Sequence, residues 1–178
     1  LTDDSALTLN VDRGGTLNLF LNTTEGVMAN QTFRQAALAA LNCDDIMLAA
    51  YGNPDLYELS ASWSDPTDVQ WGTDAGSEYY NQHDTEKAKE LLKEAGYNNE
   101  KIVLVTTQDY PEMYNATLVV QEQLKQAGIN AEVETYDFST FMEHRSNPQQ
   151  FDMFITSNSY NMLPIQLSVL DSGWAGLN

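Results

Sequence analysis

The sequence predicts an α/β domain built on an open, mostly parallel sheet with helices on its faces. Three short runs rich in apolar and β-branched residues carry that prediction: 101–107, 129–136 and 151–156. Two stretches with helical periodicity, 111–127 and 138–145, separate them. Strands that alternate with helices of this length form parallel βαβ units. Ligands of such sheets collect beyond the carboxyl ends of the strands. A site is therefore expected in the windows 108–111, 137–138 and 157–164.

Taken in order, residues 6–11 read as a short strand closed by Arg13-Gly14-Gly15, a turn that glycine makes inexpensive. The diglycine is no phosphate cradle, because neither Gly-x-Gly-x-x-Gly spacing nor a following Lys-Ser/Thr is present. Residues 16–22 alternate around Leu17, Leu19 and Leu21, the pattern of a half-buried strand. Asn30 is a suitable N-cap for a helix reaching Leu41, with Phe33, Ala37 and Leu41 on one face and Ala40 beside them. Asp44 is read as the cap of a second helix, 45–50, ended near Gly52. Residues 53–78 then lose all periodicity. Pro54, Pro66, Gly72 and Gly76 alternate there with Tyr57, Trp63 and Trp71, which predicts an irregular segment along the surface.

Asp84 caps the next helix, whose inward stripe is Ala88, Leu91, Leu92 and Ala95, with Gly96 just past its end. Pro111 opens the helix that follows the first parallel strand. Met113, Val120, Leu124 and Ala127 share one side of it, and Gly128 stops it. The second strand alternates Ile129, Ala131 and Val133. Asp137 then caps a short helix that ends near Asn147-Pro148.

Composition narrows the function classes. A chain of 178 residues with 42% hydrophobic content is long enough for one buried core. No run approaches the roughly 18 apolar residues of a membrane helix, so direct membrane insertion is not expected. The opening Leu1-Thr-Asp-Asp-Ser is acidic and polar, with no visible signal peptide, as a mature secreted piece or an excised domain would be. Eight basic residues stand against 26 acidic ones, for a net charge of −18. Such a surface repels nucleic acid and anionic membranes.

Cys43 is the only cysteine, which rules out an internal disulfide and any Cys-x-x-Cys pair. Beside Asp44-Asp45 its thiolate is disfavoured, so a packed, inert thiol is expected. His83 and His144 have no Cys or His at ligand spacing and read as solvated, so no metal or cofactor is expected. No Gly-x-Ser-x-Gly elbow exists. Asp109 and Asp137, at strand ends, lack the acidic pair and the Lys that a phosphoacceptor site would add. No catalytic residues are assigned.

One helix carries a family resemblance. Residues 80–97 include Glu86-Lys-Ala-Lys-Glu-Leu-Leu-Lys-Glu-Ala-Gly-Tyr97, which resembles a helix of the family 5 extracellular solute-binding proteins. These are the oligopeptide- and dipeptide-binding components of bacterial ABC importers. Phe33-Arg-Gln-Ala-Ala-Leu, Gln123-Leu-Lys-Gln-Ala-Gly-Ile and Phe151-Asp-Met are similar to further stretches of the family, in the family's order over about residues 17–164. The resemblance implies a periplasmic-binding-protein-like type II lobe at the extracellular face of a bacterial cell, in the periplasm or as a cell-surface lipoprotein. It also implies that residues 1–178 are a single C-terminal lobe without its N-terminal lobe. The implied partners are a small-molecule or peptide ligand held between lobes, and a membrane permease.

The sequence departs from the family after the third parallel strand. Where the family has an Asp-Pro pair, and its peptide binders use an Asp of this loop for the ligand's α-ammonium, Leu163 precedes Pro164. Asn158 and Asn161 are the nearest polar residues. A neutral amide cannot make the charge-assisted bond that an ammonium favours. A sugar, or a peptide recognised elsewhere, is therefore an alternative ligand. Thr156, Ser157, Asn158, Tyr160 and Asn161 are the first candidates for ligand contact, with Trp63 and Tyr57 next as apolar walls. Two other readings remain: a sensor or interaction domain of the same fold, and an α/β enzyme domain.

Overall fold

The computed structural model describes residues 15–62 and 72–159. Four strands form one sheet: β1 (Gly15–Leu21), β2 (Ile102–Thr107), β3 (Ala131–Tyr136) and β4 (Met153–Ser159). Their spatial order is β1-β4-β2-β3. Strands β4, β2 and β3 run parallel, and β1 lies antiparallel against β4. The parallel part is the predicted βαβαβ unit. Its helices are α4 (Pro111–Gln126) and α5 (Phe138–His144). Upstream lie α1 (Gln31–Ala39), α2 (Cys43–Tyr51) and α3 (Thr85–Glu94). The strand predicted at 6–11 lies outside the described residues.

Alternation along the strands divides the core into two. Ile102, Leu104, Ala131, Met153 and Ile155 face α4, α1 and α3, meeting Phe33, Ala88, Val120 and Leu124. The opposite face is aromatic: Phe20, Phe154, Phe151 and Phe141, joined by Val105 and Met113. Phe20 stacks on Phe154 at 4.9 Å, while Phe141 and Phe151 meet that ring edge-on at 6.1 and 5.0 Å. Short α5 is the helix that seals this side.

Most helix ends follow the expected cap chemistry. Asn30, Asp84 and Asp137 each accept a backbone N–H from the first turn of α1, α3 and α5. In α2 the cap is Asn42 and not Asp44, and it accepts from both Asp44 and Asp45 backbone N–H. Asp44 sits one position inside the helix, where its charge meets the positive end of the helix dipole. Gly15 also differs from expectation, since it is the first residue of β1. A Cβ there would sit 2.9 Å from the Asn158 carbonyl oxygen, so a close approach of two backbones selects glycine at this point.

Side chains bolt the two ends of the sheet. Buried Asn22 donates to the carbonyls of Pro148 (2.7 Å) and Phe151 (2.9 Å), fixing the end of β1 to the start of β4. Tyr97 accepts from the Asn130 backbone N–H at 2.8 Å and donates to the Glu100 carbonyl at 2.6 Å, joining the approaches to β2 and β3.

Candidate functional site

The carboxyl ends of β2, β3 and β4 open on one rim, and the antiparallel start of β1 joins them there. In the β1–β4 register, Thr16 lies opposite Asn158 and Asn18 opposite Thr156. Strand alternation puts Thr156 and Asn158 on the α5 side of the sheet and Ser157 on the other. Thr156 is buried, and its Oγ1 accepts from Arg145 Nη1 at 3.2 Å. Burial draws the Arg145 guanidinium below its usual pKa. Asn158 is half-buried, and its Nδ2 donates to Asn18 Oδ1 at 3.3 Å. The Thr16 hydroxyl donates to the same Asn18 Oδ1 at 2.5 Å, with the Asn158 carbonyl 3.4 Å away. Ser157 is exposed. This half of the rim is a ladder of neutral amides and hydroxyls, which can both donate to and accept from a polar solute.

The β2–β3 half is aromatic and acidic. Asp109 Oδ2 accepts the Phe138 backbone N–H at 2.7 Å, and the Asp109 N–H is held by Thr107 Oγ1 at 3.2 Å. Tyr110 meets the Phe138 ring edge-on, with centroids 4.8 Å apart. Asp137 accepts from the Thr140 hydroxyl at 2.7 Å and from its backbone N–H at 3.1 Å. Those two bonds, the hydroxyl first, hold the Asp137 carboxyl below its ordinary pKa.

The predicted residues are thus partly assembled. Thr156, Ser157 and Asn158 stand at the rim, with Thr156 covered. Tyr57 is not joined to them: its ring lies 6.3 Å from Tyr51, and its hydroxyl donates to the Asp44 carbonyl at 3.4 Å, both partners being on α2. Tyr160, Asn161 and Trp63 lie outside the described residues. Asn18 and Arg145 lie outside every expected window, while Tyr110 and Phe138 fall inside the windows 108–111 and 137–138 but were not named as contacts. The window 108–111 contained Tyr110, but Pro111 beside it is a strong helix-start signal and masked it.

Groups considered for chemistry have structural explanations. The Cys43 thiol is pushed up chiefly by burial, with Asp44 a lesser contribution than its neighbouring position suggested. His83 is exposed. His144 is not solvated as expected: it stacks on Tyr136 at 4.1 Å, with Nδ1 buried. Among the described residues no group of three His, Cys, Asp or Glu is placed to hold a metal ion, and no helix is long and apolar enough to cross a membrane. Two grooves, of about 290 and 440 Å³, lie toward the opposite end of the sheet, one beside the last turns of α4 and the other beside Val103 and Asp152.

The model of the bacterial extracellular solute-binding proteins, family 5 (middle region), matches residues 2–170. The chain belongs to this family. A relative in Sinorhizobium fredii, "Probable peptide ABC transporter periplasmic-binding protein y4tO", is 32% identical over 151 residues, covering 82% of this chain and 28% of its own. The oligopeptide-binding protein AppA of Bacillus subtilis is 27% identical over 169 residues, covering 85% and 30%. The fold is also that of the ABC transporter substrate-binding protein CtaP of Listeria monocytogenes, at a TM-score of 0.78 and 21% identity over 89% of this chain and 32% of that one. This family 5 chain therefore spans under a third of the length of these three proteins.

Proposed function

We propose that this chain is the C-terminal lobe of the substrate-binding component of a bacterial ABC importer, and that it takes up a peptide or a related small solute at the extracellular face of the cell. The observation that carries the reading is the family match over residues 2–170, on a domain whose three parallel strands end on one rim. The carboxyl-end rim of a parallel sheet suits one side of a cleft. A complementary N-terminal lobe closes over the ligand by hinge motion, and a membrane permease receives the closed form. Ser157 and Asn158, with Asn18 and Thr16 beside them, are the ligand-facing group on this lobe, and Thr156 supports them from below; Tyr160, Asn161 and Trp63 are further candidates on the sequence alone. Two relatives carry peptide-binding names, which favours peptides, while the neutral amides at the end of β4 offer no carboxylate to a peptide ammonium.

The test is calorimetric titration of the two-lobe protein with short peptides, free and acetylated at the N-terminus, and with oligosaccharides. Saturable binding of one class without turnover is the expected result. Chemical conversion of any of them, or binding of none, overturns the reading.

A further inference from the structure

Tyr110 stands where two independent local preferences are broken. It is 42% exposed, whereas the aromatic rings around it on the α5 face, Phe141 and Phe154, are fully buried. It also occupies the N-cap of α4 and makes no side-chain cap bond, while Asn or Asp caps α1, α2, α3 and α5 through its side chain. Local rules are broken in this way mainly where function requires it.

The ring is not loose. Its edge-on contact with Phe138, at 4.8 Å, ties it to the neighbouring β3–α5 turn. That turn is itself fixed by the 2.7 Å bond from the Phe138 N–H to Asp109, the residue immediately before Tyr110. Phe138 in turn stacks at 6.2 Å on Phe141 in the aromatic core. An aromatic surface held from below and open above has lost its side-chain freedom before any ligand arrives, which is the condition under which stacking contributes most to affinity.

We propose that Tyr110 is the specificity-determining stacking platform of the rim, and that the ligand lays a flat apolar face on it while its polar groups reach the Asn18–Asn158 ladder at the end of the adjacent strand pair. The flat face is a C–H-rich sugar ring or a ring side chain of a peptide, since both present the same chemistry to an aromatic surface. The Asp109–Phe138 bond is the positioning element. This rests on the reading of the chain as a binding lobe.

The test uses the two-lobe protein with cellohexaose, tetra-alanine and Ala-Ala-Phe-Ala as probes, titrated against wild type, Tyr110→Phe and Tyr110→Ala. For the tightest-binding probe, Tyr110→Ala is expected to weaken binding about tenfold or more and Tyr110→Phe by less than about threefold, because stacking needs the ring and not the hydroxyl. The thermal midpoint of both variants stays near that of wild type. Tightest binding of cellohexaose assigns the sugar source, and tightest binding of Ala-Ala-Phe-Ala the peptide source. Wild-type affinity in Tyr110→Ala, or tetra-alanine as the tightest probe, overturns the platform while leaving the binding lobe intact. Wild type that binds no probe overturns both.

Discussion

Asp152 shows how a single carboxylate can oppose the fold it helps to organise. Its Oδ2 accepts the Val103 backbone N–H at 2.7 Å and so sets the register between β4 and β2. Burial nevertheless pushes its pKa above the ordinary 3.8, and the Val103 bond and Lys101 only partly offset this. A carboxyl with a raised folded-state pKa binds more protons when folded than when unfolded. Its contribution to stability is therefore complete below the unfolded pKa and is lost as pH rises through the folded one. An asparagine keeps the acceptor and removes the titration. Denaturant unfolding of Asp152→Asn is expected to gain on wild type as pH is raised from about 4 toward neutrality, and then to level off. A constant difference across that range would mean that the site does not titrate differently on folding.

At the scale of elements, caps decide where helices begin, and most were readable. Asn30, Asp84 and Asp137 each lie just before an apolar period, so each could be assigned from its position. Asn42-Cys-Asp-Asp offers three side chains able to cap within four positions, and sequence order does not choose among them. Geometry does: Asn42 Oδ1 lies 3.0 Å from the Asp44 nitrogen and 3.3 Å from that of Asp45. Asn42 is also tied to α4, donating its N–H to Gln123 Oε1 at 3.0 Å and accepting from Gln123 Nε2 at 3.3 Å through its carbonyl. Asn42→Ala should lower unfolding free energy by about 1 kcal/mol, and Asp44→Ala by clearly less. Equal losses in chemical denaturation would restore Asp44 as the cap. Tyr110 was hidden for a related reason. A proline at the first helical position is sufficient to predict α4, and it carries no information on the side chain before it.

For the molecule as a whole, the parallel strands and their helices were legible because each is a local period bounded by its own stop signal. The antiparallel placement of β1 was not, because Leu17, Leu19 and Leu21 announce a strand but not a neighbour. Nor was the close approach at Gly15, which depends on a carbonyl more than a hundred residues away. The overall charge is a global property with a global consequence. At −18 over 178 residues, the folded state concentrates like charge, and Lys101 between Glu132 and Glu134, at 3.4 and 3.6 Å, is one of few local offsets. Raising sodium chloride from about 0.01 to 0.15 M shortens the screening length from roughly 30 to 8 Å and should raise the thermal midpoint. A midpoint that falls with salt would show that attractive pairs dominate.

The pairing of β1 with β4 also bears on how the chain is made. Synthesis delivers the leucines of β1 before the other three strands and their ladder partner only when Met153–Ser159 has emerged, so the hydrogen-bonding groups facing β4 wait while the helices between them are added. Contacts this distant along the chain slow folding, since a large loop must close before they form. A nascent chain halted before residue 153 would therefore carry an unzipped apolar ribbon, open to any passing strand.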